Sequence, residues 1–508
     1  MKKFLTVLSV SFLIAGAAFG QNTILKISLA SSTSTSCHIW LPDVPANIDT
    51  LHSGSVDISV DKNGTGIRHF TFTKPEWASL WCASSDTGRA QSFHYWLYLS
   101  PGDHIDFKAD FKSKDNGIVV TGKGSNNNQP LLSALVAEAP ESLYGDTLPN
   151  RIITFVNKHT ADLKKALDEY IRIYKPTADF IKNEEINIKY DAVNRYFDFK
   201  ENNKFQIMKQ YARTEGKWQA VQDSLFATVK LNDDAALDAV SYTMLLRTFL
   251  LREKERLWSE RFKKPEAFFK EWYNTDVATG QKEYEADQQN LLQEKIINHY
   301  FTGHSAEYLY AELIDGALGE HNPQNIAAIF DRFKQRYPQS RYVKWFSPTI
   351  DTMRQKENRA LTSDVVFVPD NGTKLNTFEE LLALTKGKTV LLDMWGTWCG
   401  PCRNEISDNG AAIKEYFKGK GLDYFYVANR DLKHLDAWKK LIAYFDMKGT
   451  HILASDNLSK DIMCKVKGPG YPTYVVIKKD GTYELSKAGY PMKRDVLIKQ
   501  LEEALAEK

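Results

Sequence analysis

The chain has 508 residues, 43% hydrophobic and 26% charged, an ordinary globular composition that excludes wholesale disorder and, by length, suits about three domains. Lys and Arg number 66 against 64 Asp and Glu, a formal charge of +2, so no strongly basic run argues for nucleic acid as a partner. Five cysteines, at positions 37, 82, 399, 402 and 464, are too few for a disulfide-dense scaffold.

The first 20 residues read as an export signal. Lys2 and Lys3 form a basic start, Phe4 to Ile14 is an apolar stretch too short to span a bilayer, and Ala18-Phe19-Gly20 fits a small-x-small cleavage site before Gln21. The first cysteine, Cys37, is far from that site, which argues against a lipid anchor. The expected location is periplasmic, with no stable membrane insertion after cleavage. That compartment makes every cysteine a redox question.

Residues 22–124 are expected to form an antiparallel β-sandwich. Ile24-Leu29, Val56-Val60, Ile67-Phe72, Phe93-Leu99, Ile105-Phe107 and Ile118-Thr121 are short β-branched and aromatic runs, separated by turn chemistry at Asn63-Gly64, Pro101-Gly102-Asp103 and Asn116-Gly117. The polar, Gly-containing stretch Gly122 to Gln129 reads as a linker. Residues 130–360 are expected to be all-α. Leu163, Leu167, Tyr170, Ile171 and Tyr174 fall at helical spacing before Pro176, and Leu292, Ile296 and Tyr300 form a second stripe. Asn322-Pro323 reads as an N-cap and first helical residue, with Ile326, Ile329, Phe330 and Phe333 on one face and Tyr337-Pro338 as the stop. These stripes are read as core packing.

Residues 361–508 alternate strand and helix. Strands are expected at Val365-Val368, Thr389-Trp395, Leu422-Ala428, Thr473-Ile477 and Thr482-Lys487, and helices at Phe378-Leu384, Pro401-Lys418, Leu435-Phe445 and Asp495-Ala506. This alternation argues an α/β layer architecture.

Cys399-Gly400-Pro401-Cys402 sits where an apolar strand gives way to a helix. Unsatisfied amides and the positive dipole end at a helix start favour a thiolate, so Cys399 is expected to have a lowered pKa and to attack. Cys402, one turn further on, is expected to resolve the mixed disulfide. Pro401 pre-sets the helical φ. A zinc site would need a second Cys pair. A c-type haem would need His at 403, where Arg403 stands. An inert structural disulfide remains the other reading.

Asp393, Trp395, Trp398-Cys399-Gly400-Pro401-Cys402 and Gly470-Tyr471-Pro472-Thr473 together resemble the thioredoxin superfamily. The export signal and the Cys402-Arg403-x-Glu405 continuation resemble its exported TlpA/ResA-like branch. The resemblance covers only the last third of the chain and implies a thioredoxin-like fold there. It implies that Cys399 is the nucleophile and Cys402 the resolving thiol. Asp393 would be a buried carboxylate that relays a proton for Cys402, and Pro472 a cis-proline beside the site. Glu405 would either tune the thiols or serve as a favourable first-turn charge. Trp398, Gly400, Pro401, Tyr471, Pro472 and Thr473 would line the substrate groove. Where the family often carries Pro after the glutamate, this chain has Ser407.

The implied activity is a periplasmic protein-disulfide reductase needing no cofactor. Its partners would be client disulfides, an apocytochrome c among them, and an upstream membrane thiol reductant. The competing reading is a cell-envelope binding protein in which the thioredoxin fold is ancillary to recognition by the upstream regions. A peroxidase of the peroxiredoxin type is disfavoured, because Thr397 lies two rather than three positions before Cys399. Cys37 and Cys82 either pair, closing a loop worth roughly 4 kcal/mol in chain entropy, or stand as two buried thiols. Cys464 reads as a lone structural cysteine near a helix end.

Overall fold

The computed structural model describes residues 21–30, 35–41, 55–84, 91–132 and 139–507, so the expected export signal at 1–20 lies outside the described residues. The chain divides into two compact units, Met1–Arg252 with Phe301–Ser305, and Glu253–Tyr300 with Ala306–Lys508. The helical stretch therefore contributes to both units and does not form one of its own.

In the first unit lie β1 (Gln21–Ala30), β2 (Thr35–Trp40), β3 (Ser55–Ile58), β4 (Thr65–Phe72), β5 (Glu76–Ser84), β6 (Gln91–Leu99), β7 (His104–Asp110) and β8 (Val119–Lys123). They form two four-stranded sheets, ordered β4-β1-β7-β8 and β3-β2-β5-β6. Period-two alternation turns Leu25, Ile27 and Leu29 of one sheet, and Phe93, Tyr95, Leu97 and Leu99 of the other, into one shared core. The expected all-antiparallel pairing is corrected at one place: β1 and β7 run parallel. Parallel neighbours need a long crossover, and the intervening strands β2 to β6 supply it. Strands β2 and β5 escaped the sequence reading because Ser, Thr, His and Ala interrupt their apolar pattern. They bring Cys37 opposite Cys82 across an antiparallel ladder, with Cα atoms 4.3 Å apart and the thiols joined as a disulfide.

The expected linker at 122–129 is also corrected. Gly122 takes φ +94° beside the His104 carbonyl oxygen, where a Cβ would collide. Asn128 is buried; its side chain accepts from the Tyr98 amide at 2.7 Å and donates to the Tyr98 carbonyl at 3.0 Å. Composition alone suggested a tether, but the polar side chains satisfy strand-end groups. The helices Asn150–Tyr174 and Ala178–Phe226 follow. The first buries Leu167 and Tyr170 and ends in a left-handed Lys175 before Pro176.

In the second unit, helices Pro265–Tyr273, Val277–Ala286, Asn290–Tyr300, Ile326–Arg336 and Arg341–Glu357 precede an α/β layer. The helix expected to be capped by Asn322 is capped instead by Asn325, which takes a left-handed φ of 59°. The sheet comprises β9 (Val365–Phe367), β10 (Thr389–Trp395), β11 (Leu422–Ala428), β12 (Gly449–Leu453), β13 (Thr473–Ile477) and β14 (Tyr483–Leu485), ordered β14-β13-β10-β11-β12-β9. Strand β12 and the helix Asp456–Val466 were not foreseen; Gly449-Thr450-His451 hides the strand's apolar end.

Strand β10 is central, parallel to β11 and antiparallel to β13, and every one of its residues is buried. Its apolar run fits a strand covered on both faces. Alternation sends Val390, Leu392 and Met394 to one core. Leu391, Asp393 and Trp395 face the opposite way. On that side Leu391 packs with Ile413 and Phe417, and Trp395 with Cys402 and Ile406, all from the helix Gly400–Tyr416 or its end. An acid thus occupies a position that the pleat assigns to the core.

Candidate active site

The chain leaves β10 at Trp395 and turns through Gly396-Thr397-Trp398 into the helix Gly400–Tyr416, with Cys399 as its N-cap. Two residues at the end of the neighbouring strand hold this turn. The Asn429 side chain donates to the Trp395 carbonyl at 2.6 Å. The Asp431 carboxylate accepts from the Thr397 amide at 2.8 Å and its hydroxyl at 2.6 Å. Neither residue was foreseen; a polar turn directly after an apolar strand is their only sequence signal.

The Cys399 sulfur accepts from the Cys402 amide at 3.2 Å, and Cys399 and Cys402 are joined as a disulfide. One orphan helix amide therefore already points at Cys399. Cys399 is 3% exposed and Cys402 fully buried.

Thr473 lies opposite Met394 in the β10–β13 ladder. The preceding Tyr471-Pro472 segment therefore emerges at the same sheet end as the cysteine turn. The Tyr471–Pro472 peptide is cis. The Tyr471 and Trp398 rings meet edge-on at 5.8 Å. Of the residues expected to line a groove, Trp398 and Pro401 are exposed, Gly400 and Tyr471 half-buried, and Pro472 and Thr473 buried. The last two therefore offer backbone rather than side chain.

Asp393 is flanked across the ladder by Tyr474 and Tyr426, and its Oδ1 has no hydrogen-bond partner among the described residues. Burial, reinforced by the Glu405 charge and opposed by Lys414, pushes its carboxyl up to about 8. Burial holds Lys414 down at about 8. Glu405 is itself buried and accepts from the Met492 amide at 2.9 Å and the Asn409 side chain at 2.6 Å. Asp393, Glu405, Lys414, Tyr426, Tyr474 and Met492 line one recess of about 660 Å³. Of this set only Asp393 and Glu405 were expected as site residues; Lys414 is the unforeseen charged member.

Arg403 ties the helix start to the helical segment of the same unit. It is buried and donates to the Thr397 carbonyl at 2.6 Å and the Glu320 carbonyl at 3.1 Å. Its guanidinium also lies 3.6 Å from the Glu320 carboxylate. Cys464 is exposed and unpaired, in the last turn of its helix.

The family described as Redoxin matches residues 364–501. The thiol-disulfide oxidoreductase ResA of Bacillus cereus is 35% identical over 96 residues, 19% of this chain and 52% of that protein. ResA of Bacillus anthracis is 35% identical over 97 residues, with the same shares. The chain thus spans about half the length of the curated relatives it matches. Among solved structures, the thioredoxin domain of a thiol-disulfide oxidoreductase from Bacteroides vulgatus is 25% identical, covering 24% of this chain and 82% of that one with a TM-score of 0.21.

Proposed function

We propose that this chain, whose residues 364–501 belong to the thioredoxin superfamily in its TlpA/ResA-like branch, is an exported reductase of protein disulfides acting through Cys399 and Cys402. The observation that carries the reading is the position of the pair. Cys399 caps the helix, and its sulfur accepts the Cys402 amide at 3.2 Å.

In the reduced protein the Cys399 thiolate attacks one sulfur of a client disulfide. The client S–S bond breaks, one client sulfur leaves as a thiolate that takes up a proton, and a mixed disulfide forms. Cys402 then loses its proton and attacks the Cys399 sulfur, releasing the second client thiol. The client gains two electrons, and the protein is left as the Cys399–Cys402 disulfide. An upstream membrane thiol reductant restores it. Asp393, whose carboxyl burial pushes up to about 8, receives the Cys402 proton in its ionised form, which that raised value makes basic enough to deprotonate a thiol. Glu405 shares its recess and keeps that proton on Asp393 by like-charge repulsion. Trp398, Gly400, Pro401, Tyr471, Pro472 and Thr473 form the groove for an extended client segment, an apocytochrome c among the clients. The two upstream sheets form a sandwich that, with the helices, selects clients and contributes no chemistry. No helix among the described residues is long and apolar enough to cross a membrane.

Reduction of insulin or a synthetic disulfide peptide by the full chain tests the reading. Cys399→Ser should abolish turnover. Cys402→Ser should accumulate a mixed disulfide with the substrate. Unchanged turnover by Cys399→Ser would remove the proposal and leave upstream recognition as the function.

A further inference from the structure

The first unit contains a second recess, remote in sequence from the cysteine pair. It has a volume of about 300 Å³ and lies between strand β6 and the helices Asn150–Tyr174, Ala178–Phe226 and Val240–Lys263. Its size falls within the range of small-ligand sites.

One wall is aromatic. Trp77 and Trp96 meet edge-on at 6.4 Å, and Phe180 packs against Trp77 at 6.0 Å. The other wall is polar and largely acceptor in character. Asn194 is 4% exposed; its amide nitrogen donates to the Ser241 carbonyl at 2.7 Å, while its Oδ1 has no hydrogen-bond partner among the described residues. His159 is 7% exposed, and its Nε2 has no hydrogen-bond partner among the described residues, the Asp191 carboxylate lying 4.0 Å away. Burial lowers the His159 pKa, so the neutral ring can offer Nε2 as an acceptor. A buried polar atom left in this way is destabilising, and a ligand with matching groups relieves it.

The charges do not balance. Arg195 and Asp191 compensate each other through contacts of 3.0 and 3.1 Å. Glu184 also lines the recess. Burial pushes its carboxyl up to about 7, opposed by a hydrogen bond from the Asn187 side chain, and it forms no ion pair among the described residues.

We propose that this recess is a binding site for a small organic cation, a guanidinium or primary ammonium group. Such a group stacks on the Trp96 ring, beside the edge-on Trp77, and donates hydrogen bonds to Glu184, Asn194 Oδ1 and His159 Nε2. The two halves of the recess select the same chemistry. Indole faces attract cations, and an unpaired carboxylate beside acceptor atoms asks for a charged donor. Anions are repelled by Glu184, and neutral apolar ligands would leave the acceptors unpaired. The group has two sources, a free guanidine or amine, or an Arg or Lys side chain of a client peptide. The recess and the chemistry it selects do not depend on the redox reading; only the second source, a client side chain, rests on it.

The test is isothermal titration of the oxidised full-length protein at pH 8 with agmatine and, separately, with N-acetyl-arginine methylamide. Saturable binding of either is expected; agmatine alone points to a free metabolite and the blocked arginine to a peptide side chain. Glu184→Gln should weaken binding at least tenfold while disulfide reduction stays unchanged. Trp96→Leu should also weaken it, and decides the matter if the first variant does not fold. Absence of heat with both ligands, or undiminished affinity in a folded Glu184→Gln or Trp96→Leu protein, overturns the proposal.

Discussion

Replacing Asp393 by Asn should stabilise the protein by an amount that grows with pH. The folded-state carboxyl sits at about 8 against an ordinary 3.8, with burial the main cause. Between those values the folded protein keeps a proton that the unfolded chain has released. Wild-type stability therefore falls as pH rises through that window, by about 1.4 kcal/mol per pH unit for one proton. Asn carries no titrating proton. The advantage of Asp393→Asn over wild type should consequently increase by about 2–3 kcal/mol between pH 5 and pH 7. Other titrating groups, such as the buried His451 held down at about 4, are common to both proteins and cancel in the difference. The readout is the free energy of opening from hydrogen exchange of the peptide spanning Thr389–Trp395, measured on oxidised protein at pH 5, 6 and 7. The side-chain change shifts the absolute values, because it places an amide where Oδ1 has no partner among the described residues. It does not alter the slope. A difference that is flat across this range would mean that Asp393 titrates in the folded state as an ordinary carboxylate, too weak a base to take the Cys402 proton, and the proton-relay role would fall with it.

In the reduced protein, iodoacetamide at pH 7 should modify Cys399 well before Cys402, since the capping amide serves the Cys399 sulfur; mass mapping reads the order, and the reverse order would invert the assigned roles. Alkylation of the oxidised, denatured protein should label Cys464 alone, and all five cysteines only after reduction; label on Cys37 or Cys82 before reduction would contradict their pairing. Replacing both Cys37 and Cys82 by Ala should lower stability by about 4 kcal/mol in urea titration, the chain-entropy value for a loop of that length. Arg403→Ala should cost about 1–3 kcal/mol, because the Thr397 and Glu320 carbonyls lose their charged donor; an unchanged urea midpoint would show that the helix start needs no such tie.

Legibility in the sequence followed the strength of local patterns. Thr389–Trp395 and Leu422–Ala428 were readable to the residue because uninterrupted apolar runs have one use in an α/β layer. Strands β2 and β5 were not, since Ser36, His38, Ala78 and Ser79 break the period-two signal that would have announced them. Asn128 misled for a related reason. A polar residue among glycines looks like a tether until its partners, the strand-end groups of Tyr98, are known. The cysteine pair was legible through motif spacing, and Asp393 through the family resemblance that the pair anchors. Asn429, Asp431 and Lys414 act through contacts made across strands or recesses, and no spacing within the chain encodes those.

The helical segment that precedes the redox site raises the question of how independent that site is. Glu320 reaches Arg403 with both its carbonyl and its carboxylate, and Arg359 donates to the Tyr444 carbonyl at 3.1 Å. Both contacts lie inside one compact unit, Glu253–Tyr300 with Ala306–Lys508. A fragment beginning at Leu361 deletes them and leaves the Tyr444 carbonyl and the Arg403 guanidinium each short of a partner. It retains every strand of the sheet, together with Cys399, Cys402, Asp393 and Glu405. Residues 361–508 should therefore fold and reduce a small disulfide at nearly the rate of residues 253–508, but unfold with about 2 kcal/mol less stability, roughly 1 kcal/mol for each lost hydrogen bond. Equal urea midpoints for the two fragments would show that the helical segment merely touches the redox fold. A fragment from Leu361 that stays unfolded beside a folded 253–508 would show that the helices complete its core, and that the last third of the chain is not a domain by itself.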